Sequence, residues 1–221
     1  MNVAYQLTHY DKQHRLLSQT DCIPARSFVK AFLQIIYSIT SVLTQDIIDI
    51  DNVSRTISGT SNDDMIVPFM THPGLAAGDD SWYFGTDLGQ AGRHSNLYAD
   101  DLGIQIGTGS TAVAVADDNL ITPIANGTSA GQMVYYGCYS LNYTTGASSA
   151  SFDVERIFRN SSGGSIVVAE IGIYSIGTTA TSNTNPDAIF GFCILRDVLG
   201  ATVTVLNGEY LKVKYTITVS N

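Results

Sequence analysis

The C-terminal stretch from Ala150 to Asn221 restricts the fold more than any other part of the chain, because it reads as a series of strands separated by turn residues. In Glu209–Val219, apolar residues alternate with polar ones, which is the period of a strand that covers a core with one face. The dipeptide Asn207-Gly208 predicts a tight hairpin just before this strand. The earlier strand-like stretches are Ser151–Asn160, Ile166–Ile176 and Ala188–Leu199. We therefore expect a mainly β fold built as a two-sheet antiparallel sandwich, for which a jelly roll is one arrangement.

The N-terminal segment predicts a small hairpin. Residues Asn2–Tyr10 alternate like a strand, and Leu16–Cys22 reads as a shorter strand that pairs back onto it. Such a hairpin would either extend the edge of a sheet or form an arm that reaches a neighbouring subunit.

One amphipathic helix is predicted over Pro24–Thr44, because proline suits a first helical turn and apolar residues recur at spacings of three and four. The stripe formed by Phe28, Phe32, Ile36 and Ile39 is expected to pack against a sheet within the monomer. The alternative is a docking helix that lies in a groove of a partner protein, in which case Phe28 and Phe32 become interface residues.

Composition and periodicity divide the chain into three parts: an N-terminal hairpin and helix arm (1–50), an irregular aromatic and glycine-rich excursion (51–101), and an antiparallel sandwich core (102–221). Long irregular excursions are usually functional or form interfaces. The interface candidates there are Trp82, Tyr83, Phe84 and Tyr98. These aromatic side chains could equally seal a small core of the excursion itself.

The charge balance excludes some partners. The net charge is −9, and the 11 lysines and arginines are scattered, which argues against nucleic acid and disfavours an anionic membrane surface. No apolar run has the length of a membrane span. The three cysteines, Cys22, Cys138 and Cys193, are widely spaced, so we expect reduced thiols in a protein made in a cytoplasm.

The sequence offers no clear centre for chemistry, and neither an enzyme, a metal site nor a cofactor is expected. Asp46–Asn52 has the carboxylates of a calcium loop but lacks its glycine and closing glutamate, and Asp117-Asp118 and the other aspartate pairs read as turn formers. Glu170 is different because it interrupts the apolar run IVVAEIGIY, and a buried carboxylate requires a cation. Arg196 is the first candidate for a structural ion pair with Glu170, and Arg156 is the second.

Three segments carry a resemblance: Gly103–Ile124, Phe152–Gly177 and Phe192–Val219. They combine a Gly-Thr turn and aspartate-rich link with strands reading EIGIY and NGEYLKVKYTI. This combination resembles small structural proteins encoded by tailed bacteriophages, across about half of the chain. The resemblance implies a β-sandwich virion component without catalytic residues.

Two functions follow as hypotheses. The first is a capsid decoration, cement or minor head protein, a homo-oligomer that is made in the host cytoplasm, resides in the virion and binds other virion proteins. The second is a tail-associated adhesin or receptor-binding module whose tip would be Thr71–Asp101. A carbohydrate-active enzyme, which would require two carboxyl groups at the mouth of a cleft, ranks last.

Overall fold

The computed structural model describes residues 1–25, 28–41, 45–57, 100, 102–178 and 189–220. Within them the fold is mainly β, with antiparallel strands and one short helix, which confirms the predicted class at this level. The strands are β1 Asn2–Tyr10, β2 Leu16–Gln19, β3 Ile23–Ala25, β4 Gln45–Ile48, β5 Ser54–Ile57, β6 Gly103–Gly107, β7 Met133–Thr145, β8 Ser149–Asn160, β9 Ile166–Thr178, β10 Ile189–Val205 and β11 Tyr210–Ser220, and the helix is α1 Lys30–Ser41.

These strands form two main sheets and one small hairpin. In the first sheet the order is β2-β1-β11-β8-β7, with β3 paired to β1 as well. In the second sheet the order is β10-β9-β6, and β4 pairs with β5 as a separate hairpin. All these neighbours are antiparallel.

Both main sheets contribute to one buried apolar cluster. In β11 the alternation seen in the sequence is realised, because Leu211, Val213 and Tyr215 are buried while Lys212 and Lys214 lie on the opposite, half-buried face. In β9, by contrast, consecutive residues from Val168 to Tyr174 are buried on both faces. The second sheet is therefore the more deeply buried of the two.

The chain does not form the hairpin predicted at Asn207-Gly208, because β10 and β11 belong to different sheets. The turn itself forms: Gly208 has φ 91°, and the Glu209 N–H donates to Leu206 O at 3.0 Å. Turn residues determine the local backbone geometry, whereas strand pairing depends on which apolar faces are buried together. This turn therefore carries the chain from the second sheet to the first.

A second crossing between the sheets, from β8 to β9, lies beside this turn. Asn160 at the end of β8 connects the two crossings, since its backbone O accepts from the Gly208 N–H at 2.7 Å and its Nδ2 donates to Val205 O at 2.7 Å. The side chain of Asn160 is fully buried.

The helix begins later than the sequence predicted, at Lys30 rather than at Pro24. Pro24 lies in β3 and pairs with Ala4 of β1. Proline has no N–H to donate, so it is tolerated in an outer strand as readily as in a first helical turn, and the local sequence did not distinguish the two.

The buried face of α1 also differs from the predicted stripe. Ala31, Phe32 and Ile35 are buried, but Ile36 is 38% exposed. Phe28 precedes the helix, is half-buried and forms an isolated bridge with Leu195 of β10, and the side chain of Ile39 lies outside the described part. Phe32 thus packs into the core of the monomer, as the packing interpretation expected.

The predicted boundary at residue 50 places β1 and β11 in different parts of the chain, although they are neighbours in one sheet. Strand β1 pairs with β11 over its whole length, from Asn2 opposite Thr218 to Tyr10 opposite Tyr210. On its other side β1 carries β2 and β3. The N-terminal strand is therefore an interior member of the first sheet rather than an arm, and β2 is the edge addition.

Candidate functional site

A charged pair lies at the centre of the second sheet. Glu170 on β9 and Arg196 on β10 are both fully buried, and Arg196 Nε donates to Glu170 Oε2 at 2.9 Å. The structure thus brings together the two residues that the sequence analysis paired first. A buried charge is tolerated only where hydrogen bonds and an opposite charge replace water, so the remaining contacts of both side chains determine what the pair does.

Glu170 holds the backbone of a neighbouring loop. Its Oε1 accepts from the N–H groups of Gly109 at 3.1 Å and Thr122 at 2.8 Å, and its Oε2 accepts from the Ile121 N–H at 3.1 Å. One carboxylate therefore binds both arms of the irregular segment 108–124. Glu170 therefore accepts hydrogen bonds from three backbone N–H groups and one guanidinium.

Arg196 holds the middle of the same segment. Its Nη1 donates to Asp117 Oδ2 at 2.7 Å and its Nη2 to Thr111 O at 2.9 Å. Burial alone would favour the neutral guanidine, but the hydrogen bonds to Glu170 and Asp117 outweigh it and raise the pKa of Arg196. Asp117, which the sequence presented as an ordinary turn former, is thus the second carboxylate of the network.

Two further features position residues 108–124 against β9. The Leu120 N–H donates to the hydroxyl of Tyr174 at 2.7 Å, and burial raises the pKa of that hydroxyl well above its ordinary value. A Cβ placed on Gly107 would lie 2.6 Å from Glu170 Oε1, and one on Gly109 would overlap the same oxygen. We call Glu170, Arg196 and Tyr174 the clamp, and residues 108–124, which include Asp117, the clamped loop.

The clamped loop also contacts the helix and the small hairpin. The Lys30 N–H donates to Val115 O at 2.8 Å, and Lys30 Nζ lies 3.1 Å from Asp118 Oδ1. Asn119 Nδ2 donates to Asp49 O at 3.1 Å. The segment without regular secondary structure is therefore fixed to β9, β10, α1 and the β4–β5 hairpin together.

Arg156, the second candidate partner of Glu170, binds backbone carbonyls on β6, on the residue before it and on β7. Its Nη1 donates to Leu102 O at 2.8 Å and Ile104 O at 3.1 Å, and its Nε to Tyr136 O at 2.7 Å. The guanidinium also lies over the Tyr135 ring, 4.7 Å from the centroid. A side chain from the first sheet thus reaches the edge of the second.

The other candidates are placed as follows. Trp82, Tyr83, Phe84 and Tyr98 lie outside the described residues. Of the interface candidates on the helix side, Phe32 is buried and Phe28 is half-buried with its ring 4.3 Å from that of Phe32. Both belong to the packing of the monomer.

Two described aspartates accept hydrogen bonds within their own turns. Asp49 Oδ1 accepts from the N–H groups of Asp51 and Val53, and Arg55 Nε donates to its Oδ2 at 2.6 Å. Asp11 has the same arrangement with Gln13 and Arg15 in the β1–β2 turn, where chiefly the Arg15 N–H lowers the pKa of Asp11. Both carboxylate oxygens of Asp49, a buried residue of the Asp46–Asn52 segment, thus accept hydrogen bonds from protein donors.

No group of three or more histidine, cysteine, aspartate or glutamate side chains in the described ranges is placed to hold a metal ion. Among the helical residues that the structure describes, none belongs to a helix long and apolar enough to cross a membrane. His9 instead contacts Glu209 at 2.8 Å and His14 stacks on Tyr210, while His72 and His94 lie outside the described ranges.

Comparison with known proteins gave no relative: no protein-family model, no curated protein and no solved structure matches this chain.

Proposed function

We propose that this chain is a non-enzymatic structural protein of a tailed-phage virion, most simply a capsid decoration, cement or minor head protein. The proposal begins from the three sequence segments that resemble such proteins and from the low content of charged residues, 14%. It is consistent with the net charge of −9, since a shell subunit binds other proteins rather than phosphate groups.

The observation that carries the proposal is the clamp. The two charged side chains at the centre of the second sheet, Glu170 and Arg196, bind the backbone and side chain of residues 108–124. A buried polar network whose members are hydrogen-bonded rigidifies the segment that it holds, and this suits a structural role.

The proposed architecture is a two-sheet antiparallel sandwich. Two connections, β8 to β9 and β10 to β11, pass from one main sheet to the other, and both sheets contribute side chains to one apolar cluster. Arg156 adds a polar link between the sheets. These features support two sheets packed face to face over a shared core.

Exposed apolar side chains near the clamped loop favour contacts with other subunits. Val115 on the clamped loop is 71% exposed, and Leu33 on α1 is 64% exposed. The two segments are joined by the hydrogen bond from the N–H of Lys30, the first residue of α1, to Val115 O. Exposed apolar side chains mark a protein contact site where they join into one contiguous patch. This region is where we expect a neighbouring virion protein to bind.

The second candidate function, a tail-associated adhesin or receptor-binding module, is favoured by one sequence observation. The segment Thr71–Asp101 concentrates Trp82, Tyr83, Phe84 and Tyr98, and aromatic residues dominate the centres of binding surfaces. The two candidates differ in where the protein lies in the particle.

Immunogold electron microscopy of purified virions tests the proposal, with antibodies raised against the folded chain. Labels over the capsid surface support the decoration, cement or minor head function. Labels confined to the tail replace it with the adhesin candidate. Particles that bind no antibody, before and after mild disruption, contradict both.

A further inference from the structure

The strands at the edges of the two main sheets differ in how far other parts of the chain cover them. Strand β10 accepts hydrogen bonds from the N–H groups of Val29 and Ile50, and β6 accepts them from Arg156 and from the Ile124 N–H. The start of β7 is hydrogen-bonded to residues 125–127. Strand β2, by contrast, is exposed at all four positions, and within the described part of the chain no strand lies on its outer side.

Strand β2 also lacks two features that keep natural sheet edges from pairing, a charged side chain and a proline. The other segment on this side of β1 has one of them, because β3 contains Pro24. In β2 the side chains of Leu16 and Leu17 are 57% and 51% exposed, and a bulge leaves Leu17 opposite no residue of β1. This edge therefore presents apolar side chains and backbone groups that a further strand can bind.

Opposite charges flank β2. Arg15 directly precedes the strand, and Asp21 follows it by two residues. Arg15 donates through Nε to Asp11, but its side chain is 77% exposed, so the guanidinium still faces solvent. Asp21 is exposed, and it forms no ion pair among the residues that the structure describes. The edge strand thus has a cation at one end and an anion at the other.

We propose that β2 pairs antiparallel with β2 of a second copy of this chain. A register with Ser18 opposite Ser18 places Arg15 of each copy opposite Asp21 of the other. The two-fold axis of such a dimer forms the same ion pair twice. An in-register parallel pairing would set like charges opposite each other, which is unfavourable. The local charge pattern therefore matches a second copy, and the pairing joins the first sheets of two copies into one continuous sheet.

Sedimentation velocity of the purified full chain over a range of concentrations tests the pairing, and circular dichroism checks that each variant is folded. We expect wild type to form dimers. Asp21→Arg should weaken dimer formation by about tenfold or more, because it sets two arginines opposite each other at both ends of the paired strands. The matched control is Asp51→Arg, which makes the same change of charge at an exposed residue in the turn between β4 and β5. This control should dimerise like wild type.

Oxidative cross-linking tests the register. The background is Cys22→Ser, because Cys22 is an exposed thiol and the other two cysteines are buried. Ser18→Cys should cross-link two copies, since directly opposite residues have Cα atoms about 5 Å apart, within the range of a disulfide. Leu16→Cys should not, because in this register its two copies lie about 13 Å apart along the strands.

Three results overturn the inference: a wild-type chain that stays monomeric at every concentration, an Asp21→Arg variant that dimerises like wild type, or a Ser18→Cys variant that cross-links no more than Leu16→Cys. Dimers that form without the cross-link at Ser18→Cys would assign self-association to another surface. The inference deepens the proposed function by naming one interface of the expected homo-oligomer. Its measurements use the purified chain alone, so the virion proposal can fail while this interface persists, and the reverse.

Discussion

At the scale of single residues, Glu170 is the carboxylate of the clamp, where three backbone N–H groups and the Arg196 guanidinium meet. We expect Glu170→Gln to lower the free energy of unfolding by about 3 kcal/mol, because Arg196 loses a charged partner and one amide oxygen cannot accept from all the donors that the carboxylate serves. Urea denaturation of the purified chain measures this change.

The matched control is Glu155→Gln, which removes an equivalent charge from the partly exposed pair with Lys212. Ion pairs at the surface contribute about 0–1 kcal/mol, so this variant should remain near wild type. A Glu170→Gln variant as stable as Glu155→Gln would show that the clamp does not hold the loop.

The second prediction at this scale concerns the close approach of Gly109 to Glu170. A Cβ on Gly109 would overlap the carboxylate and lie 3.0 Å from the Ile121 Cβ, so Gly109→Ala should destabilise the fold by about 1–3 kcal/mol. Gly200→Ala is the control, because a Cβ there meets no atom within 4 Å. Thermal unfolding compares the two variants, and equal midpoints would contradict the described geometry.

The sequence could identify Glu170 and Arg196, because a charge inside an apolar run has to find a partner. It could not identify Asp117 or Tyr174. Asp117 stands beside Asp118 in a stretch that reads as an ordinary turn, and a tyrosine in a strand is usually a core residue. Their roles depend on the way the loop folds back onto β9 and β10, and one sequence carries no local signal for that contact.

At the scale of elements, Arg156 donates hydrogen bonds to backbone carbonyls at the outer edge of β6. We expect Arg156→Lys to expose that strand, because an ammonium group cannot reach the carbonyls of Leu102, Ile104 and Tyr136 together. Amide hydrogen exchange should show lower protection in Gly103–Gly107, with β1 and β11 little changed. Unchanged protection in β6 would mean that its pairing with β9 is sufficient without the arginine.

Strands with regular alternation or long apolar runs were predictable from sequence, and β1, β8, β9 and β11 all occur where the pattern places them. Two features were predicted wrongly. Pro24 fits a strand edge as well as a helix start, and Asn207-Gly208 specifies a turn without specifying which strands pair across it. In both cases the contact that decides the outcome is distant in sequence. Pro24 pairs with β1, and Asn207-Gly208 connects strands of two different sheets.

At the scale of the whole molecule, three buried tyrosines predict unfolding in alkali. Burial raises the pKa of Tyr135, Tyr174 and Tyr215 above the ordinary value of 10.0, and for Tyr215 the neighbouring Asp197 adds to this. The unfolded chain releases these protons near pH 10 while the folded chain keeps them. Their contribution to stability is therefore complete below that pH and is lost as the pH rises further.

Tyrosinate absorbance and circular dichroism, followed together against pH, check this prediction. The ionisation of the buried rings should coincide with loss of the β signal in one transition. Complete ionisation of all 12 tyrosines in a chain that keeps its β signal would contradict the described burial.

The measurement that tests the virion proposal most directly is the copy number of this chain in purified particles, from quantitative mass spectrometry against the major shell protein. A decoration or cement protein should approach a fixed ratio near one copy per shell subunit, and a minor head protein a small constant ratio with capsid labelling. Complete absence of the chain from particles would contradict the account.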